Sequence, residues 1–442
     1  MEIDVGGRVV VVGGGFSGVA AACRLAGDGH RPILFERSGR LGGRAASFRD
    51  PATGEVVDDG HHVSMRCCTA THGLLQRIRA TTAIRYQSEM SIPIWHPGGQ
   101  TRIRSVPLLP GALHAAPALL GYRALSFGER LRALHAGAAL LFPSRSDIPL
   151  GRWLRSRRQA SRAISRLWDP ICIATLNAHV DDVSFQAARK VFRSGLLSPG
   201  GGGLGLFTRP LDHIFEATRE YIESHGGEVR TASRVQQIHV EEGRVCAAEL
   251  ATGETVETSA VIAAVLPTEL GTLLRDPLLR RTIEAAEYLT WSPIVNAHVW
   301  LDRSILDGDF FVAVDSPIQA VFNVTKLHAR AGDDGCHLVI SQSAADPWID
   351  RSPDDIADEL VEALAEIAPA ARAARVDRRV VIKHRRATFV PAPGVDALRP
   401  PAKAPIDGLY LAGDWTATGW PSTIEGAVRS GVTAAARAEP TL

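Results

Sequence analysis

The residues best suited to chemistry lie near the start of the chain. Gly13, Gly15 and Gly18 follow the apolar run Arg8-Val9-Val10-Val11-Val12 in the order G-x-G-x-x-G. That spacing asks for a strand, a tight turn and a helix. The first glycine makes the turn, the second lets backbone approach a pyrophosphate, and the third lets helix and strand pack closely. A helix is predicted over 19–26, and its start, with Phe16 and Ser17, offers free N–H groups to phosphate. A second apolar run, Pro32 to Phe35, ends in Glu36, at the spacing where a carboxylate meets a ribose hydroxyl. Together these residues predict a dinucleotide site, against the plainer alternative of an ordinary strand–helix turn. The stretch Arg37 to Ser47 then carries Gly42-Gly43-Arg44. The glycine pair permits close backbone approach, and Arg44 can reach a phosphate or the middle of the dinucleotide. Towards the other end, Gly413-Asp414 closes an apolar run and places a carboxylate where a sugar-alcohol hydroxyl can bond. Pro421 to Ala427, with Thr423 and Ile424, reads as a helix N-terminus whose dipole favours negative charge.

The elements that position these residues suggest a chain of more than one domain, since 442 residues exceed the usual single core. The expected class is α/β, with a discontinuous Rossmann-like nucleotide domain of the glutathione-reductase type. A second, mixed α+β substrate domain carries a helical insertion. The nucleotide domain is expected from 1–70, 200–275 and 401–442, and the substrate domain from 71–199 and 276–400. Strands are expected at 92–95, 229–231, 235–240, 245–250, 255–257, 260–265, 295–301, 320–324, 337–341 and 408–412. Helices are expected at 210–225, 353–367 and from about Ser422. The Gly200–Gly203 run reads as a loop. From 106 to 142 the chain reads as helices broken at Pro110, Pro117 and Pro143. Between 145 and 166 come seven arginines, with Trp153, Leu154, Ile164 and Leu167 among them. The 106–166 insertion therefore fits either an anionic membrane surface or a solvated arginine face over a helical core.

Composition excludes some classes. A net charge of +1 gives no argument for nucleic acid. The cysteines at 23, 67, 68, 172, 246 and 336 form no C-x-x-C pair and suit a reducing cytoplasm. With the glycine turn beginning at residue 13, neither a signal peptide nor a membrane span is expected.

As a set, the glycine turn, Glu36, Gly42-Gly43-Arg44, Gly413-Asp414 and the segment from Pro421 resemble the large FAD family of amine oxidases, carotenoid desaturases and protoporphyrinogen oxidase. The resemblance implies FAD, held non-covalently because no cysteine lies in the C-terminal segment. Gly15, Phe16 and Ser17 would meet the pyrophosphate, Glu36 the adenosine ribose, and the Val235 backbone the adenine. Asp414 would sit near the ribityl or pyrophosphate group, with Thr423 and Ile424 near the flavin. Gly13, Gly18, Arg37, Gly42, Gly43, Arg44, Gly60, His61 and Gly413 complete the expected cofactor set.

A narrower resemblance rests on Asp58-Asp59-Gly60-His61-His62, on Leu167 to Asn177, and on Gly413 to Gly431. These are similar to the bacterial squalene-associated FAD proteins, the hydroxysqualene dehydroxylases. His61 departs from the amide side chain expected there, and Ala417 from an acid. The implied reaction removes an allylic hydroxyl from hydroxysqualene with hydride from reduced flavin, giving squalene and water. His62 is the first candidate proton donor, because histidine titrates near neutrality, and Asp169 the second. A backbone-bonded histidine and a helix cap are their structural alternatives. Trp168, Trp415 and Trp420 would line the substrate cavity, with core packing as the alternative. Expected partners are a long isoprenoid, an unidentified electron donor and the inner face of the cell membrane, with no nucleic acid. The competing readings are an isoprenoid desaturase, an amine oxidase using Lys326 or Lys383, and a non-catalytic FAD-binding partner.

Overall fold

The computed structural model of the chain describes residues 8–106, 109, 111–144, 147–198, 203–329 and 335–439. Arg8–Val12 forms the middle strand of a five-stranded parallel sheet, flanked by Arg31–Phe35 and Ala260–Ala263, with Glu228–Arg230 and Leu409–Leu411 at the edges. The strands are nearly all apolar because both faces are covered. Val9 and Val11 face the helices Phe16–Gly27, Asp212–Ser224 and Ile424–Ala438, whereas Val10 and Val12 face an antiparallel sheet of Val235–Glu241, Arg244–Leu250 and Thr255–Glu257. Two of those helices touch backbone to backbone. A Cβ on Gly431 would lie 2.0 Å from the Ser17 carbonyl oxygen.

The second sheet has seven strands, ordered Val376–Phe389, Trp291–Leu301, Cys336–Ser343, Ala320–Asn323, Phe310–Ala313, Ser91–His96 and Gly99–Arg104. Period-2 alternation divides its faces. Val295, Ala297 and Val299, with Leu338 and Ile340, pack under the helix Pro353–Ile367. Asn296, His298, His337 and Ser341 consequently point the other way.

The expected α/β class holds, with the parallel sheet and a second mixed layer. Several local expectations change. Pro117 does not break a helix; it lies in the first turn of Ala116–Leu120, where its missing N–H costs nothing. The next helix, Phe127–Ala139, ends before Pro143 and starts with a Ser126/Glu129 capping box. Pro110, Arg145 and Gly200 to Gly202 lie outside the described residues. Leu204–Phe207, Gly99–Arg104 and Val376–Phe389 are strands beyond the sequence reading. The last hides its β character behind Arg378, Arg379, Lys383, His384, Arg385 and Arg386. All six cysteines are free. Among the described residues no helix is long and apolar enough to cross a membrane.

Candidate active site

One cavity of about 1590 Å³ runs between the two sheets, and most of the predicted site residues meet on its wall. At one end is the glycine turn. Gly42 N–H donates to the Gly14 carbonyl at 2.9 Å, so the two glycine segments lie side by side. A Cβ on Gly43 would press to 3.2 Å of the Gly15 Cα, whereas a Cβ on Gly15 itself would find nothing nearer than 3.9 Å. The cradle is thus tight behind Gly15 and open in front of it. No side chain caps the helix Phe16–Gly27, which leaves its first N–H groups aimed at that space. Gly18 works from behind: its Cβ would fall 1.8 Å from the Gly13 carbonyl oxygen.

Buried Glu36 accepts from Gly14 N–H at 2.7 Å and Ser38 N–H at 2.8 Å, which fixes its carboxylate and leaves lone pairs for a diol. Arg37 sits exposed on the rim, paired with Glu269 at 3.0 Å. Val235 lines the same end. Further along, Arg44 pairs with buried Asp414, donates to the Ala387 carbonyl at 2.8 Å, and lies 5.4 Å over the Trp291 ring. Asp414 also accepts from the Ser422 hydroxyl. Gly413, with φ +142°, makes the sharp exit from the strand. Thr423 caps the helix Ile424–Ala438, its hydroxyl accepting from Gly426 N–H at 3.1 Å, and Thr423 and Ile424 face the cavity. Glu425 was not singled out by the sequence. Its buried carboxylate ties this helix to Thr69–Arg77 through Ala70 N–H at 3.0 Å and Thr71 N–H at 2.8 Å. An open glycine cradle, an uncapped helix start, a fixed carboxylate and a second helix N-terminus, all on one cavity, fit a dinucleotide with an extended middle.

The opposite wall is apolar, with Ile92, Ile94, Ile103, Leu176, Phe310 and Val312 among its residues. Acid–base groups gather between the two ends. The loop Asp59-Gly60-His61-His62 is held against the second sheet by Asn296, which donates to the Asp59 carbonyl at 3.0 Å and accepts from the Ser341 hydroxyl at 2.7 Å. Gly60 has no alternative there, since a Cβ would meet the Asn296 side-chain nitrogen at 2.2 Å. His384, opposite Ile294 in the strand register, brings its Nε2 to 3.6 Å from Asp59 Oδ2. Burial raises the Asp59 carboxyl above its ordinary value and lowers His384. Burial and the nearby His384 push His62 down to about 4. Burial pulls His61 well below its ordinary value, and its ring lies 4.6 Å from Phe322. At neutral pH both histidines of the loop are therefore uncharged. Asp59, Asn296 and His384 were not singled out as candidates. His384 was hidden in a basic run that reads as solvated, and only strand pairing brings it to Asp59.

Other candidates take different places. Asp169 lines the cavity, but its Oδ1 accepts from Val180 N–H at 2.9 Å and its Oδ2 meets His179 Nδ1 at 2.8 Å. It holds the turn after helix Asp169–Leu176, and its hydrogen bond raises the His179 pKa. Trp168 is a correction. Its ring turns away from the cavity into the helical core, 5.3 Å from Phe192, with its N–H on Gln159 at 3.0 Å. The cause is a π-helical turn over Ile164–Trp168, which presents Leu167 to the cavity instead. Trp415 packs in the core beneath the parallel sheet, its indole N–H on the Val265 carbonyl at 2.9 Å, and touches the wall at the cofactor end. Trp420 lines the cavity, but Arg429 at 4.6 Å and Lys190 at 5.2 Å already lie against its ring. It is thereby less available to a cationic substrate. Lys326 and Lys383 donate to backbone carbonyls, and no lysine lines the cavity among the described residues.

The family model for flavin containing amine oxidoreductases matches residues 16–438. The chain belongs to that family. Its cofactor is FAD, and it is an FAD-dependent oxidoreductase. Among curated relatives, 15-cis-phytoene desaturase of Solanum lycopersicum is 26% identical, over 96% of this chain and 76% of its own length. The 15-cis-phytoene desaturase of Synechococcus elongatus is 22% identical, over 96% of this chain and 94% of its own. Among solved structures, cyclohexylamine oxidase from Brevibacterium oxydans superposes with a TM-score of 0.69 at 18% identity, covering 98% of this chain and 99% of that one. At that identity the likeness concerns the fold alone.

Proposed function

We propose that this flavoprotein removes the hydroxyl of a hydroxysqualene-like allylic isoprenoid alcohol. The observation that carries this reading is the Asp59, His62 and His384 group, set on the cavity wall between the cofactor cradle and the apolar end. A hydrocarbon undergoing desaturation offers no oxygen to protonate, whereas a departing hydroxyl needs a proton at once. When bound and reduced, FAD supplies the hydride. The apolar wall holds the chain and excludes water, which protects the delocalised cation left by C–O cleavage. Asp59, its carboxyl kept protonated more readily by burial, holds the proton beside His384 and His62. Gly13, Gly15, Phe16, Ser17, Glu36, Arg44, Asp414, Thr423 and Ile424 would hold the cofactor, and Glu36 would take the ribose.

Lipid contact fits the same reading. Leu113, Leu120, Phe127, Leu131 and Phe142 are exposed, at 60%, 40%, 65%, 47% and 69%, all within one helical stretch that also carries Arg123, Arg130 and Arg132. Such a face suits the surface of an anionic membrane that delivers an insoluble substrate. The electron donor is proposed to be a separate reductant.

A second reading, an isoprenoid desaturase, draws support from the phytoene desaturase relatives. The deciding experiment incubates holoenzyme with hydroxysqualene under reducing conditions, and with phytoene or a simple amine under oxidising ones. Squalene from the first supports the proposal. Products from phytoene with none from hydroxysqualene would overturn it. In a single turnover with prereduced protein, His62→Ala and His384→Ala are each expected to slow squalene formation about a hundredfold.

A further inference from the structure

Two thiols stand side by side on the wall of the cofactor cavity. Cys67 and Cys68 both line it, both are half-buried, and both are free. The other four cysteines lie off this wall. Cys68 is the residue from which the helix Thr69–Arg77 starts. Buried Glu425 bonds the first turn of that helix through Ala70 N–H and Thr71 N–H, and so ties it to the helix Ile424–Ala438 at the cofactor end. Cys67 lies beside the turn Phe192–Leu196, where a Cβ placed on Gly195 would come 3.8 Å from its Sγ. Gly195 is itself on the cavity wall and brings no side chain over that sulfur.

The two sulfurs are not equivalent. Contact between the thiols is the largest influence on each. It lowers Cys68 below the ordinary thiol value and raises Cys67 above it; burial opposes the shift at Cys68 and adds to the one at Cys67. Cys68 is therefore the sulfur that yields thiolate more readily, and thiolate is the form that attacks an oxidant. Ser64, 7% exposed and on the same wall, brings its hydroxyl close to Cys68, yet that hydroxyl makes no hydrogen bond of ordinary geometry. It can donate to a group leaving Cys68. A lowered thiol, a neighbouring thiol that can resolve it and access from a cavity are the marks of a redox-sensitive pair.

We propose that Cys67 and Cys68 are an oxidation switch: hydrogen peroxide released in the cofactor cavity converts them to a disulfide between neighbours, and a small dithiol restores them. Peroxide has a source on the spot, because oxygen that reoxidises a bound reduced flavin leaves as hydrogen peroxide. Cys68 loses its proton, its sulfur attacks one peroxide oxygen, and the O–O bond breaks. The departing hydroxide takes up that proton beside the Ser64 hydroxyl and leaves as water. The Cys67 sulfur then attacks the Cys68 sulfenic acid at sulfur, the S–O bond breaks, and a second water leaves with the Cys67 proton. Two thiols have given two electrons to one peroxide. Neighbouring Cα atoms stand about 3.8 Å apart, below the roughly 4.4–6.8 Å of relaxed disulfides, so the peptide between them must turn. Both ends of that peptide are bonded: the Cys67 carbonyl accepts from Thr69 N–H at 2.9 Å, and Cys68 N–H donates to the Met65 carbonyl at 2.8 Å. Turning it breaks these bonds at the base of the helix that Glu425 anchors, which loosens the cofactor end. The same strain makes the disulfide easy to reduce again.

The switch needs bound flavin and oxygen but no particular substrate, so it stands or falls apart from the dehydroxylase reading. Holoenzyme is reduced with dithiothreitol, desalted and treated with a small excess of hydrogen peroxide. Trypsin, cutting after Arg66 and Arg77, then releases residues 67–77, which hold both cysteines and no other. In the wild type this peptide is expected to lose two hydrogen atoms in mass, to resist alkylation and to recover with dithiothreitol. Cys67→Ser is expected to stop at a sulfenic acid on Cys68 that dimedone traps, and Cys68→Ser to react about tenfold more slowly. With two hydrogen bonds lost, oxidised wild-type protein should release FAD about tenfold faster on dilution, and dithiothreitol should reverse the change. The double variant Cys67→Ser with Cys68→Ser should show no such response to peroxide. A wild-type peptide that keeps both thiols overturns the switch, as does a disulfide that leaves flavin release unchanged.

Discussion

The two ends of the cavity treat buried polar groups in opposite ways. At the cofactor end, Glu36, Arg44, Asp414 and Glu425 all have partners within the chain. At the second sheet, His61 Nε2 and His62 Nδ1 are buried without a hydrogen-bond partner, and His384 stands 3.6 Å from Asp59. A cofactor cradle must keep its shape before and after the ligand arrives, so its charges are fixed by backbone N–H groups and by each other. A buried nitrogen left without a partner carries a cost in stability. The contrast separates polar groups fixed by the chain from polar groups left open to the cavity.

The largest test breaks the cofactor end. Gly18→Ala drives a methyl into the Gly13 carbonyl oxygen, 1.8 Å away, and should cost at least about 3 kcal/mol. The purified variant is expected to carry almost no flavin absorbance. A comparable effect, visible only with pH, is expected at the boundary between the two ends. Burial pushes Asp58 up to about 7, although its Oδ1 accepts from Ser47 and from Leu211 N–H. The unfolded carboxyl loses its proton near 4, so Asp58 adds stability below that pH and loses it as pH rises to about 7. Relative to wild type, Asp58→Asn should gain about 3–4 kcal/mol in denaturant unfolding at pH 8 over its standing at pH 4. An equal difference at both pH values would sink this assignment.

Smaller effects sharpen the comparison. Glu36→Ala leaves Gly14 and Ser38 N–H groups unpaired, and FAD binding should weaken about tenfold, read by flavin release during dilution. The smallest change in stability is expected on the outer face. Phe127→Ser with Phe142→Ser should shift unfolding by no more than about 0.5 kcal/mol, because both side chains are exposed. The same double variant should lose co-sedimentation with anionic lipid vesicles. Retained binding would return the arginine-rich segment to a plain solvated surface.

The cofactor end was largely legible because its signals are local. Gly13, Gly15, Gly18 and Glu36 lie on one strand–turn–helix–strand unit, where a tight turn admits few residue types. The strand expected at 260–265 and found at Ala260–Ala263 was readable for the same reason, from its unbroken apolar run, and the helix at 353–367 was found as expected. Trp168 could not be placed, because the π-helical turn over Ile164–Trp168 rotates the side chains by an amount that no 3.6-residue period conveys. His384 was invisible as a site residue, since a run of basic residues looks the same on an exposed loop as on a strand with one face turned inward.

By itself, the sequence determined that a strand would end in a glycine turn opening a helix, that a carboxylate would close the next strand, and that a late helix would begin near residue 422. Only the tertiary structure decided which titratable groups come together. Asp59 meets His384 because the first segment packs on a strand more than 300 residues later, and His298 meets His337 through antiparallel register. Long-range pairing of this kind depends on which face each strand buries, and that choice is made by the whole sheet and the helix beneath it.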